Sequence, residues 1–368
     1  MRIKLEPRVA ASQWMRYAGP VMALAATVIV GAILFAALGK NPATGIYAFF
    51  IAPVTTLAGV ADLLVKATPL VICAIGLSIG FRGNVWNIGA EGQLIVGAVC
   101  GGAMALAFYP DDGWYVLPFM VLAGMAGGMA WAAIPAFLRN RFNVNEILTS
   151  LMLTYVAIEL WKYMITGPLL DPGGSSFPQS REFPPGTLFG VIFESARTSV
   201  LFAVVVILVG WLFMTRALQG FKVDVVGQAI QAAHYAGFSQ KRVVWLSFLV
   251  AGGAAGLAGL IEITGPIKQL PLKFAPGYGF VAIIVAFVGR LHPVGMTIAA
   301  LLMALMFLGG DELQFELNLP PAIAGMFQGL LLFFVLASEV LIRFRIKVIR
   351  PARRLPAGGE APQGGAGE

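Results

Sequence analysis

The feature that most constrains this chain is a series of apolar segments, each about long enough to cross a lipid bilayer. A bilayer core requires roughly 20 apolar residues per crossing helix. The clearest segments are the first, the sixth and the last in chain order. The sequence predicts about ten transmembrane helices, at 18–39, 60–81, 86–108, 115–138, 145–166, 198–215, 241–264, 277–290, 293–309 and 321–342.

Composition supports burial in lipid. Of the 368 residues, 58% are hydrophobic and only 12% are charged, whereas a soluble domain carries roughly 25% charged residues. The first apolar segment is longer than a signal-peptide core, so we expect it to be retained as a helix. The predicted fold is an all-α, polytopic membrane helix bundle.

The positions of the basic residues orient the bundle. With the N-terminus in the cytoplasm, 18 of the 25 Lys and Arg residues fall on the cytoplasmic side, as the positive-inside rule requires. The acidic pairs Asp111-Asp112 and Asp311-Glu312 then fall in outer loops. An odd helix count would put one basic end outside, so we expect both termini to be cytoplasmic. Since the net charge of +7 is concentrated beside the apolar spans, it indicates topology and not nucleic-acid binding.

This topology divides the chain into regions. We expect a cytoplasmic N-terminal segment at 1–17, a transmembrane domain at 18–345 and a disordered cytoplasmic tail at 346–368, rich in Gly, Pro and Ala. Two long loops stand out within the domain. The loop at 167–196 lies outside, and the loop at 216–241 lies inside.

A polar, Gly-rich segment interrupts the apolar pattern between Gly76 and Gln93. Backbone at membrane depth must face protein or a water-filled path, and an ionisable residue there suggests function. Two interpretations remain open from the residues alone. The side chains line a solute path, or they cap helix ends and bond neighbouring helices; they are Asn84, Asn87, Glu91 and Gln93.

Two other segments carry helix-end signals. In the cluster Asn143, Asn145 and Glu146, Asn145 is suited to cap a helix whose first turn holds Glu146. The stretch Val226–Ser239 predicts a short cytoplasmic helix that Gly237 ends. This helix is either an amphipathic surface helix or a docking site for a soluble partner.

Small residues four apart favour close helix packing, at Gly124 and Gly128 and again at Gly252 and Gly256. Motifs for catalysis are missing. There is no GxxxxGK[ST] loop, HExxH, GxSxG or cysteine pair, and His234 has no second ligand at metal spacing. We therefore expect no enzyme activity, no cofactor and no bound metal.

An ion-driven secondary transporter and a membrane enzyme are the alternatives from other classes. Ionisable residues such as Glu159, Lys162 and Glu262 are near predicted helix ends and not in mid-helix, which disfavours an ion-coupling site. Two isolated histidines do not supply a catalytic cluster.

The segment Gly80–Gln93 closely resembles the permease subunits of bacterial ABC importers for nucleosides and simple sugars. Gln231–Phe238, Ser247–Gly259 and Pro276–Arg290 follow in the same order. The resemblance covers roughly Leu63 to Ile342 and is closest to the larger permease of the nucleoside branch. The broad family also contains ribose-type sugar and branched-chain amino acid permeases, which remain alternatives.

The resemblance implies a multi-pass protein of the bacterial inner membrane that forms a translocation path for nucleosides or related sugars. Its implied partners are a second permease subunit in a heterodimer, two cytoplasmic ATP-binding subunits and an extracytoplasmic solute-binding protein. It implies a place near the path for Asn84, Trp86, Asn87, Glu91 and Gln93. It implies an ATPase-coupling role for Gln228, Gln231, His234, Tyr235, Ala236 and Gly237.

Overall fold

The computed structural model describes residues 2–7, 13–174, 177–274 and 276–349, and it is nearly all-α. The helices within these ranges are α1 Gln13–Ala37, α2 Pro42–Phe50, α3 Leu57–Arg82, α4 Ala90–Ala107, α5 Val116–Phe142, α6 Glu146–Thr166, α7 Ser199–Arg216, α8 Leu218–Gln228, α9 Ile230–Tyr235, α10 Gln240–Glu262, α11 Tyr278–Val288, α12 Pro293–Leu317 and α13 Ala322–Arg343. A π-helical turn, Ile263–Ile267, extends α10. Four short strands are β1 Arg2–Pro7, β2 Val191–Phe193, β3 Ala196–Arg197 and β4 Phe344–Ile349.

Within the described ranges, six helices are long and apolar enough to cross a membrane: α3, α4, α5, α7, α10 with its π-turn, and α12. Each of the ten predicted spans coincides with a helix. However, α11 has only 11 residues, a length of roughly 16 Å that crosses about half of a bilayer core. The prediction of a helical membrane bundle is thus confirmed. The helix lengths do not establish that there are ten crossings.

Two local predictions about helix extent are wrong, and one helix was not predicted. The third span begins at Ala90, because residues 83–89 form a non-helical connection. The acidic pair Asp311-Glu312 lies inside α12 and not in a loop, because that helix continues to Leu317. The helix that was not predicted is α2, whose start is capped by the side chain of Asn41.

Glycines allow the central helices to approach closely, as their spacing predicts. A Cβ atom on Gly256 of α10 would overlap the backbone oxygen of Gly124 in α5, and one on Gly128 would overlap the backbone oxygen of Gly252. Gly97 of α4 meets Gly256 in the same way. The predicted packing role of these glycines is confirmed. Helices α3, α4 and α10 are largely buried as a result.

The two ends of the described chain lie together. Strand β1 pairs antiparallel with β4, from Arg2 opposite Ile349 to Pro7 opposite Phe344, and α1 packs beside α13. The predicted tail from residue 346 therefore begins within β4. Residues 350–368 of that tail, and residues 1 and 8–12 of the predicted N-terminal segment, lie outside the described residues.

The two long loops lie at opposite ends of the bundle. At one end the side chain of Asn140, near the end of α5, donates a hydrogen bond to the carbonyl oxygen of Lys241, at the start of α10 (3.1 Å). At the other end, Asp112 precedes α5 and accepts a hydrogen bond from the backbone N–H of Gly186. Since α5 separates Asp112 from Asn140, the predicted outer loop at 167–196 and the predicted inner loop at 216–241 lie at different ends.

Candidate translocation path and coupling surface

The polar segment at 83–89 begins with a defined helix stop. Asn84 adopts a left-handed conformation with φ 54°, which Asn tolerates better than most residues. Its N–H bonds the carbonyl oxygen of Phe81, and the N–H of Val85 bonds that of Gly80. This pair of bonds is a Schellman motif. It ends α3 and allows the chain to leave helical geometry inside an otherwise apolar region.

Two of the predicted path residues bind each other. The side-chain amides of Asn87 and Gln93 exchange hydrogen bonds, from Asn87 Nδ2 to Gln93 Oε1 (2.9 Å) and from Gln93 Nε2 to Asn87 Oδ1 (3.1 Å). Asn87 Oδ1 also accepts from the N–H of Gly89 (3.0 Å). Both side chains are buried, so the pair holds the entry into α4 in a fixed conformation.

Glu91 joins two helices that are far apart in the sequence. Its carboxylate lies in the first turn of α4 and is buried. Oε1 accepts from the N–H of Gly277 (2.8 Å) and Oε2 accepts from that of Gly279 (2.7 Å). Those groups are unpaired donors at the start of α11, where the helix dipole also favours negative charge. Glu91 therefore caps α11 from a neighbouring helix.

Trp86 and Asn84 are the more accessible members of the set. The indole N–H of Trp86 donates to Asn84 Oδ1 (3.0 Å), and Asn84 is exposed. The indole stacks on Phe287 of α11, with ring centroids 5.8 Å apart and an interplanar angle of 19°. Phe81 of α3 stacks on the same Phe287 ring (5.1 Å). Hence the five predicted residues form three separate groups, an accessible Asn84–Trp86 pair, a buried Asn87–Gln93 pair and the Glu91 cap.

The second polar cluster is a helix junction, as predicted. Asn143 ends α5 in a left-handed conformation with φ 53°. The side chain of Asn145 accepts from the N–H groups of Ile147 (2.9 Å) and Leu148 (3.4 Å), which caps α6. Glu146 forms an ion pair with Arg139 (3.3 Å). The predicted cap is confirmed.

The predicted coupling helix is shorter than its sequence range. Ala229 leaves helical geometry (φ −148°, ψ 79°), so Gln228 belongs to α8 and α9 holds only six residues. The C-terminus of α9 is a second Schellman motif. Gly237, with φ 76°, bonds the carbonyl oxygen of His234 (3.0 Å), and Phe238 bonds that of Ala233 (2.9 Å).

The surface of α9 is almost entirely open. Ala233 is 1% exposed and anchors the helix, whereas Tyr235 is 92% exposed. The remaining predicted coupling residues are also exposed in this chain: Gln228, Gln231, His234, Ala236 and Gly237. This turn presents an aromatic side chain away from its own protein. Such a turn suits a docking site better than an amphipathic surface helix, which would pack its apolar side chains against the bundle.

An ion pair that the sequence did not reveal connects the two regions. Arg82, the last residue of α3, donates from Nε to Asp224 Oδ1 (2.7 Å) and from Nη2 to Oδ2 (2.5 Å). Asp224 lies in α8, just before α9. The residues are separated by 142 positions, and in the sequence Arg82 served only as a marker of topology.

A further polar group missed by sequence reasoning lies at the end of α10. Glu262 is buried, its Oε1 accepts from the hydroxyl of Tyr278 (3.3 Å), and Lys66 Nζ approaches the same oxygen (3.9 Å). Tyr278 begins α11, between the two glycines that Glu91 caps. Position near a helix end did not indicate that this carboxylate would be buried.

A membrane helix bundle with polar, broken helices at its centre and an exposed helical turn at one end is typical of a transport permease. Over residues 59–336 the chain matches the family described as "Branched-chain amino acid transport system / permease component". The chain belongs to this family of multi-pass membrane permeases.

The chain is similar to several curated permeases over most or all of its length. The glucose ABC transporter permease protein TsgB13 of Haloferax volcanii is 35% identical over 379 residues, which cover 100% of this chain and 99% of the relative. The guanosine ABC transporter permease protein NupP of Bacillus subtilis is 28% identical, covering 88% and 94%. The nucleoside ABC transporter permease protein NupB of Lactococcus lactis is 26% identical, covering 93% and 95%. No solved structure matches the chain.

Proposed function

We propose that this chain is the membrane-spanning permease subunit of an ABC importer and that it carries nucleosides or related sugars. The observation that supports this most directly is α9, a six-residue helix held by a Schellman motif and exposed along nearly all its surface. The chain has no nucleotide-binding loop of its own. An exposed, rigid turn between two long helices is where a separate ATPase would transmit force.

The proposed topology has ten crossings with both termini in the cytoplasm of a bacterial cell, in the inner membrane. Pairing of β1 with β4 favours an even number of crossings, because it holds the two ends together. The loop at 216–241 and the basic turn near Arg139 lie at one end of the bundle, which by the positive-inside rule is the cytoplasmic end. The loop at 167–196 then faces outward.

The proposed partners are a second permease subunit, two cytoplasmic ATP-binding subunits and an extracytoplasmic solute-binding protein. Bacillus subtilis has a second guanosine ABC transporter permease protein, NupQ, that is 24% identical to this chain over 247 residues. Similarity to both NupP and NupQ favours a heterodimer of related permeases. The broad apolar faces that α6 and α7 leave exposed supply area for lipid and for such a partner.

The proposed translocation path passes the segment at 83–89. Asn84 and Trp86 are accessible and border it, while Asn87, Gln93 and Glu91 hold the backbone that shapes it. This division of roles follows from hydrogen bonding. The three buried side chains direct their polar atoms to other groups of the same chain.

The proposed solute is a polar, uncharged compound, either a nucleoside or a sugar. Relatives named for glucose, guanosine and nucleosides match the chain over most of its length, which favours these two classes over amino acid solutes. Relatives named as ABC transporter permease proteins favour an ATP-driven mechanism over an ion-coupled one.

Reconstitution tests the proposal. The chain is co-expressed with ATPase, second-permease and binding-protein candidates from the same genome, and the complex is placed in proteoliposomes. We expect ATP-dependent uptake of tritiated guanosine or of labelled glucose, and no uptake without ATP or without the binding protein. Uptake driven by a proton or sodium gradient in the absence of ATP would contradict the proposal, as would transport of leucine in preference to both other solutes.

A further inference from the structure

A cavity of about 550 Å³ opens beside the π-helical turn that follows α10. This volume is within the range of small-molecule binding sites, roughly 300–1,000 Å³. Glu262 contributes a carboxylate to its lining. The rest of the lining comes from one face of α6 and from the connection to α11: Ile158, Trp161, Lys162, Ile267, Leu272, Lys273, Phe274 and Pro276.

The walls of the cavity are rigid and partly aromatic. Trp161 stacks on Phe274, with ring centroids 4.5 Å apart and an interplanar angle of 24°. The indole N–H of Trp161 donates to the carbonyl oxygen of Pro271 (3.0 Å), which fixes the ring. Aliphatic side chains such as Ile158 and Leu272 complete an apolar wall suited to one face of a ring-shaped solute.

The hydrogen-bonding capacity of the Glu262 carboxylate is only partly used by other groups of the protein. The hydroxyl of Tyr278 and the ammonium of Lys66 both approach Oε1, at 3.3 and 3.9 Å, and both distances are long for a strong interaction. Among the described residues, no hydrogen bond is made to Oε2. A buried carboxylate is costly unless it is paired and hydrogen-bonded, so this side chain retains capacity to accept from a ligand.

The location connects the cavity with the helix breaks. Tyr278 lies between Gly277 and Gly279, whose N–H groups are held by Glu91. Because Pro276 of the cavity lining immediately precedes Gly277, the cavity borders the junction of α4 and α11. Solute sites of membrane transporters recur where helices are discontinuous, because freed polar groups are available there.

We propose that this cavity is a solute-binding site within the membrane domain and that Glu262 accepts a hydrogen bond from a hydroxyl or ring N–H of a nucleoside or sugar. The inference rests on the proposed function and deepens it. Two lysines also border the cavity: Lys162, which is paired with Glu159 (2.6 Å), and Lys273.

Cysteine protection on the full transporter complex tests the site. In a background with Cys73→Ala and Cys100→Ala, Leu272→Cys places a thiol in the cavity wall and Leu170→Cys places one in the same outer loop region but outside the lining. Labelling by a maleimide is followed with guanosine, with glucose and without solute. We expect the transported solute to slow labelling at position 272 and to leave position 170 unaffected.

Glu262→Gln should raise the solute concentration for half-protection about tenfold or more, the loss expected for a hydrogen bond to a charged group. Glu182→Gln, which removes an exposed carboxylate of the outer loop outside the cavity lining, should leave it unchanged. Two results overturn the inference and leave the proposed function standing. One is equal protection of position 272 in both variants. The other is no protection in a complex that transports the solute. Absence of ATP-dependent uptake by the unmodified complex overturns both.

If the Glu262→Gln complex does not assemble, a second variant tests the same site. Leu272→Trp fills the cavity from its wall without altering a charge. We expect a folded complex with basal ATPase activity and at least tenfold lower uptake. Normal uptake in this variant shows that solute does not use the cavity.

Discussion

Arg82 and Asp224 form a bidentate ion pair across 142 positions of sequence, with Nε 2.7 Å from Oδ1 and Nη2 2.5 Å from Oδ2. Arg82 ends α3 next to the polar segment at 83–89, and Asp224 lies in α8 next to α9. The packing around the pair is tight, since a Cβ atom on Gly227 would overlap the carbonyl oxygen of Arg82. Movement of α8 must therefore displace the end of α3.

We predict that Asp224→Asn weakens the connection between ATP hydrolysis and transport. The substitution keeps the shape of the side chain but removes the charge, and a hydrogen bond to a charged group contributes about 1.5–3 kcal/mol. Uptake by the reconstituted complex should fall severalfold while ATPase activity remains. The double variant Arg82→Asp with Asp224→Arg restores opposite charges and should recover part of the uptake. Uptake by Asp224→Asn equal to that of the unmodified protein would show that the pair has no coupling role.

The Glu91 cap gives a prediction about stability. Glu91→Gln leaves one good acceptor where two backbone N–H groups now bind, and loss of a helix cap costs about 0.5–2 kcal/mol. We expect a lower melting temperature for the detergent-solubilised protein and reduced uptake at saturating solute. The solute concentration for half-maximal uptake should stay the same, because the carboxylate is occupied by α11. A large change in that concentration with unchanged stability would instead assign Glu91 to solute contact.

How far the sequence predicts this arrangement depends on the range of the interaction. The Asn145 cap acts within three residues, and the close approach at Gly252 and Gly256 follows from a spacing within one helix. Both features could therefore be predicted from a few neighbouring residues. The pattern of apolar segments likewise placed every long helix, because bilayer thickness sets their length.

The rest depends on contacts that no local pattern encodes. Glu91 is recognisable as a costly charge, but the groups that satisfy it, at Gly277 and Gly279, are 186 and 188 positions away. The helix break at Ala229 involves a residue type that favours helix, so tertiary packing of Ala233 and Val226 overrides propensity there. Helix propensity and hydrophobic periodicity therefore could not distinguish a residue that lines the translocation path from one that caps a helix.

Close helix packing gives a prediction with an internal control. Gly256→Ala adds a methyl group that overlaps backbone of α5, and overpacking of this kind costs about 1–3 kcal/mol. Gly325→Ala in α13 places the same methyl in open space and gains helix propensity. We expect Gly256→Ala to reduce the yield and melting temperature of the purified chain, and Gly325→Ala to leave both unchanged or raised. Equal effects would refute tight packing between α5 and α10.

The turn at Gly237 gives the sharpest test of the coupling surface. Its φ of 76° is needed for the Schellman motif that ends α9, and a β-branched residue strongly disfavours that conformation. Gly237→Val should therefore distort the exposed turn without disturbing the buried helices, because a Cβ atom at this position meets nothing within 4 Å. We expect uptake to fall at least tenfold, with normal amounts of the chain in the membrane and loss of solute-stimulated ATPase activity.

Gly237→Asn is the matched control, since Asn also adds a side chain but is the other residue that commonly occupies a left-handed helix end. This variant should retain most of the uptake, which separates the requirement for backbone conformation from a requirement for a missing side chain. If Gly237→Val transports as well as the unmodified protein, α9 does not transmit force from the ATPase. If Val and Asn abolish uptake equally, the surface at Gly237 must contact its partner directly, because the backbone geometry alone then fails to explain the loss.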